Sequence, residues 1–120
     1  MDGPVSEGVE AILTPDWTDY ADYNEMNVRQ KVEQRAGVYR MAVKGADGDY
    51  NPFYVGQSQD LRARLLQHLS PSESNSCVKT KVAQTRCYFR FAYVPLQVER
   101  DSEEKALIEK FDPACNKQLT

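Results

Sequence analysis

Glu104 is the side chain of this 120-residue sequence that is hardest to read as plain surface. It lies in the stretch from Asp101 to Phe111, where Leu107, Ile108 and Phe111 recur at helical spacing. At 3.6 residues per turn these fall about −60°, +40° and −20° from Glu104, so its carboxylate is expected in the middle of a buried face. An unpaired buried carboxylate is costly. Spacing alone leaves two readings. One is a ligand for a hard divalent cation, which takes oxygen donors. The other is the far partner of a capping box with Asp101, three residues earlier. Arg64 and His68 stand one turn apart beside a second apolar stripe, Leu61, Leu65 and Leu69. A guanidinium keeps its charge and grips phosphate oxygens in a fork; the plainer reading of Arg64 is an exposed pair with Asp60. His68 is the one histidine of the chain. Tyr39 and Tyr54 each sit in a short glycine-bearing run, Gly37-Val38-Tyr39 and Tyr54-Val55-Gly56. A free phenol titrates near 10, so either could take a proton only with help from a neighbour. Otherwise they are ordinary strand tyrosines.

The elements that must position these groups follow from pattern. Apolar runs at Val38–Val43 and Phe53–Gly56 predict two strands joined by a loop, residues 45–52, rich in turn formers. Pro52 suits a strand start or edge. Gly56 is expected to bend the chain into a helix from Ser58, as cap, to Leu69. A loop from Pro71 to Ser76 precedes a shorter helix over Cys77 to Gln84. Cys87 to Val94 predicts an aromatic strand closed by Pro95. The last helix is expected to begin near Asp101 or Ser102 and to stop before Pro113. Upstream, a helix over about Asn24 to Gln34 with Asn24 as cap is expected, Trp17 should cover a core edge, and Val9, Ile12 and Leu13 could dock.

In order along the chain, Gly37-Val38-Tyr39, Tyr54-Val55-Gly56, Arg64 eight residues after Gly56, His68 four further on, Glu104 on a helix, and Asn116 after a proline turn resemble the GIY-YIG nuclease superfamily. Both tyrosine motifs carry valine for isoleucine, and the 14 residues between Tyr39 and Tyr54 make a longer hairpin loop than is common there. The resemblance spans roughly residues 36–118. It implies an α/β fold: a small three-stranded antiparallel sheet flanked by helices, in the order strand, strand, helix, helix, strand, helix. Residues 1–35 would be an acidic extension packed on or flanking a nuclease domain over 36–120. It also implies metal-dependent hydrolysis of DNA phosphodiester bonds. Tyr39 or Tyr54 would activate water, with Tyr39 the base. Arg64 would clamp phosphate, His68 would assist, and Glu104 would bind Mg²⁺, with Mn²⁺ as substitute. Gly37, Gly56 and Asn116 would support the site. The alternative is a catalytically silent nucleic-acid-binding subunit of a repair or mobile-element complex; a third reading is a protein-interaction domain using the acidic N-terminus.

Composition bounds these readings. The net charge of −3 argues against a general nucleic-acid binder. Its distribution is uneven, however. Residues 1–36 carry 8 acidic and 3 basic side chains, while residues 57–93 carry 6 basic and 2 acidic ones. Arg62, Lys79, Lys81, Arg86 and Arg90 are therefore candidate DNA contacts beside Arg64. No separate DNA-binding module is legible, so a partner protein or a homodimer is a candidate for targeting. No apolar run approaches membrane-spanning length. Cys77, Cys87 and Cys115 form no C-x-x-C pair; three reduced thiols in an intracellular protein, whether of cytoplasm, nucleoid or nucleus, are expected.

Overall fold

A long antiparallel hairpin organises the molecule, and the computed structural model describes residues 14–117 around it. Strands β2 (Gly37–Lys44) and β3 (Tyr50–Ser58) pair from Gly37 opposite Ser58 to Lys44 opposite Tyr50. The strands run further than the apolar runs implied, and the turn shrinks to five residues with Gly48 at φ 88°, where a side chain would be strained. The register shifts between Met41 and Ala42, opposite Pro52 to Tyr54. This bulge lies on an edge strand, where a proline without an N–H is tolerated.

The sheet has four strands, not three, in the order β1-β4-β2-β3. The extra strand, β1 (Ala21–Asp22), comes from the expected extension and pairs with β4 (Tyr88–Tyr93). Two residues with no alternating pattern give no strand signal; the pairing is imposed by the edge of β4. Helix α1 (Glu25–Lys31) follows, with the Asn24 side chain accepting from Asn27 N at 2.8 Å. Its Val28 and the following Val32 are fully buried against Leu61, Leu65, Val78, Met41 and Phe89. Tyr23, Val28 and Val32 of the expected extension thus pack into the main core. Each such side chain contributes about 1.5–3 kcal/mol by burial. Trp17 packs on a second cluster, Val38, Ala92 and Val94, on the opposite face of the sheet. Val9, Ile12 and Leu13 lie outside the described residues.

Helix α2 (Leu61–His68) is capped by Asp60, whose carboxylate accepts from Ala63 N at 3.0 Å. Ser58 was the expected cap, but it still pairs with Gly37 in the sheet, so the helix begins only after the strand ends. Helix α3 (Ser76–Gln84) is capped by Asn75. Helix α4 (Gln97–Phe111) starts a turn earlier than expected and packs along β3 and β2. Leu96 precedes it without any side-chain cap, so no polar residue marked the start. The buried Arg100 reaches back to the carbonyls of Val94 and Pro95 at 3.0 and 2.8 Å, fixing the corner. A 3₁₀ turn, Ala114–Asn116, closes the described chain. Against the expectation of three reduced thiols, Cys77 and Cys115 form a disulfide, while Cys87 is free and buried. The spacing of 38 residues concealed that the start of α3 rests on this last turn. No helix of the described residues is long and apolar enough to cross a membrane.

Candidate active site

The β2–β3 register places Tyr39 opposite Gly56 and Met41 opposite Tyr54. Side chains alternate between faces, so both tyrosines project to the side where α2 packs. The two motif glycines are demanded by space. A Cβ on Gly56 would stand 2.4 Å from Tyr39 Oη, and one on Gly37 would stand 2.2 Å from the Ala92 carbonyl oxygen. Backbone freedom, the reading that sequence favours for Gly56, is not what the position uses.

Tyr39 is fully buried, and its Oη lies 2.7 Å from His68 Nε2 at the end of α2. The half-buried Tyr54 ring meets His68 edge-on at 5.3 Å between centroids. Arg64, one turn before His68, lies beside Tyr54 and donates to Gln67 Oε1 at 2.8 Å. Across the ring from Tyr39, His68 Nδ1 lies 2.9 Å from Glu73 Oε1, and Arg64 lies 3.7 Å from the same oxygen. The other Glu73 oxygen accepts from Asn75 N at 2.9 Å. Burial pushes the Tyr39 phenol well above its usual range. Burial also raises Tyr54, against the lowering pull of Arg64. His68 is brought down to about 4, first by burial and then by the Arg64 charge, with Glu73 opposing. The resting site therefore holds two phenols and a neutral imidazole at pH 7.

Glu104 stands at the mouth of this cluster. It is half-buried, less enclosed than its place in the apolar stripe implied, because the tight seam of α4 runs through Arg100 and Leu107. Its Oε1 accepts from Gln57 Nε2 at 3.0 Å, and its charge reaches Tyr54. Asp101 does not form a capping box with it, since α4 starts at Gln97. Asp101 accepts from the same Gln57 amide at 2.7 Å. Among the described residues no group of three or more His, Cys, Asp or Glu is arranged to hold a metal. A single half-exposed carboxylate does fit Mg²⁺, which keeps most of its waters and shares substrate oxygens. Asn116 clamps the centre of the second tyrosine motif. Its Oδ1 accepts from Val55 N and its Nδ2 donates to Val55 O, both at 2.8 Å.

The candidate DNA contacts are dispersed. Arg62 donates to Val32 O, Arg90 donates to Thr18 O, and Arg86 forms a two-point pair with Asp22. All three thus bind the N-terminal segment. Lys79 and Lys81 stand on α3, Lys79 donating to Pro71 O. Sequence reasoning missed Glu73 and Gln57. Glu73 sits in a loop, where helical periodicity says nothing. Its one signal is a lone acidic residue shortly after the lone histidine.

No protein-family model matches the sequence, and no curated protein matches it. Solved structures do match. One is the GIY-YIG N-terminal endonuclease domain of UvrC from Thermotoga maritima bound to magnesium as its catalytic divalent cation. It is 26% identical at a TM-score of 0.59, over 75% of this chain and 96% of that one. An asparagine-to-alanine variant of the same domain, also cation-bound, is 24% identical at TM-score 0.59, over 78% and 97%. A tyrosine-to-phenylalanine variant is 24% identical at TM-score 0.58.

Proposed function

From a chain with the GIY-YIG nuclease fold, we propose a divalent-metal-dependent endonuclease that hydrolyses DNA phosphodiester bonds. The observation that carries this reading is the convergence of Tyr39, Tyr54, Arg64 and His68, brought from two strands and a helix to one spot beside Glu104. Tyr39 serves as the proton acceptor for the attacking water and hands its own proton to His68 Nε2. This needs the imidazole because burial holds the Tyr39 phenol too weakly acidic to ionise alone. Arg64 grips the non-bridging phosphate oxygens as charge builds on them. Tyr54, at the surface of the cluster, orients the phosphate. Glu104 would hold Mg²⁺, or Mn²⁺ in its place. When bound, that ion supplies charge stabilisation at the phosphate and the leaving oxygen. The water oxygen bonds to phosphorus, one P–O ester bond breaks, and the leaving oxygen takes a proton from solvent.

Tyr39 is fully buried, so its Oη must be uncovered before the attacking water can reach it. The same burial favours the second reading, a silent nucleic-acid-binding subunit, if that opening never occurs. Nicking of supercoiled plasmid with Mg²⁺ or Mn²⁺ separates the two. The expected result is metal-dependent nicking that falls by about 100-fold or more in Glu104→Ala, equivalent to several kcal/mol of lost charge stabilisation. Nicking that survives the substitution would remove Glu104 from the site. An inactive wild type on plasmid and on branched DNA would leave the silent subunit ahead. A targeting partner or a second copy of the chain belongs to this proposal, since one such site cuts one strand.

A further inference from the structure

Glu73 is the buried charge that the proposed reaction does not yet use. Its side chain and that of His68 are both wholly enclosed. Neither His68 Nδ1 nor Glu73 Oε1 makes a well-aligned hydrogen bond to any described residue, each other included, yet the two stand 2.9 Å apart. Two enclosed polar atoms in that state need a reason, because an unmatched one is destabilising. The line of atoms continues beyond the ring, with Tyr39 Oη 2.7 Å from Nε2. Glu73 is itself held, by Asn75 N at 2.9 Å on its other oxygen. Asn75 in turn caps α3 and donates to Cys115 O at 3.2 Å. A carboxylate fixed at one oxygen keeps the other beside the imidazole, where an Nδ1–H need only turn slightly to meet it.

We infer that Glu73 is a positioning residue that holds His68 as the Nδ1–H tautomer, with Nε2 bare and aimed at the Tyr39 hydroxyl. The inference rests on the nuclease reading for its purpose and on geometry alone for its existence. Which imidazole nitrogen carries the proton is set by the hydrogen bond the other nitrogen makes. With Nδ1–H donated to the carboxylate, Nε2 can only accept, and the Tyr39 O–H becomes the donor. During the reaction one proton passes from water to Tyr39 Oη, and the Tyr39 proton passes to Nε2. The resulting imidazolium lies against the Glu73 carboxylate, which steadies its charge. No other bond is made or broken in the relay. The groups that face His68 are Tyr39 from β2, Tyr54 from β3, Arg64 from its own helix and Glu73 from the loop.

Two measurements test this, and the chain's single histidine makes the first unambiguous. Long-range ¹H–¹⁵N spectra of the imidazole, on metal-free and DNA-free protein at pH 7, should report the Nδ1–H tautomer. Glu73→Ala should lose that preference. A wild type in the Nε2–H form overturns the proposal whether or not the protein cuts DNA. The second is the pH–rate profile of nicking for Glu73→Gln, which keeps shape and an acceptor but removes charge. Its plateau should fall about 100-fold, as expected when a general base is weakened. Its acid limb should move to lower pH, because the carboxylate no longer favours the protonated imidazole. A merely structural Glu73 would leave that limb in place, and an unchanged profile in an active protein overturns the inference. A correct tautomer in a protein that never nicks would sink the nuclease reading and leave the geometry standing.

Discussion

At Tyr39 and His68 burial works against ionisation, and it leaves a signature in folding as well as in catalysis. An unfolded imidazole binds a proton below about pH 6.5, whereas His68 in the folded chain does so only below about 4. Between these values the unfolded state holds the extra proton, so stability rises with pH across that window and is lost as pH falls. From pH 6.5 to 5 the unfolding free energy should drop by about 2 kcal/mol. Urea titrations at the two pH values would check this, with His68→Asn as the control that should lack the slope. Equal stability of the wild type at both would mean that His68 is more hydrated than its enclosure implies. The chemistry of single residues was partly legible in the sequence. Tyr39, Tyr54, Arg64 and His68 stood out through the family resemblance rather than through their own pattern, and the fold brings them together. Glu73 did not, because its partner lies across a loop whose path no periodicity dictates.

At the scale of elements, β3 is an edge strand, held on one side by β2 and at Val55 by Asn116. Asn116→Ala removes both side-chain bonds from that backbone. The change should destabilise the fold by about 1–3 kcal/mol, measured by chemical denaturation. It should also speed amide exchange at Val55 more than at β4. Uniform exchange across the sheet would show that the clamp is redundant. Elements with a mechanism written in their own residues were legible: the hairpin, α1 behind Asn24, and the short helix ending at Gln84. Others depend on distant partners. The start of α4 has no polar cap, because Arg100 secures the corner from inside the helix. The start of α2 was misplaced because Ser58 looks like a cap yet remains in the sheet.

At the scale of the whole molecule, the basic middle is tied to the N-terminal segment within one chain, through one charge pair and two bonds to backbone carbonyls. Arg62, Arg86 and Arg90 bind Val32, Asp22 and Thr18, while Val28 and Val32 fill the core. A chain shortened to begin at residue 36 should therefore fail to fold, since it loses β1, α1 and two buried valines together. Circular dichroism and soluble yield would show it. A well-folded fragment would restore the boundary that the resemblance implied. The fourth strand was invisible in sequence because two residues cannot carry a period; they pair where the edge of β4 permits. The Cys77–Cys115 link joins the start of α3 to the turn that carries Asn116, and so to the backbone of the second tyrosine motif. In the chain-entropy picture, closing a loop of 38 residues contributes about 4 kcal/mol. The thiol reductant customary in nuclease buffers is thus not an inert preservative for this protein. A sample stored with it and one stored without it are two different preparations, and any cutting rate has to be quoted with the number of titratable thiols.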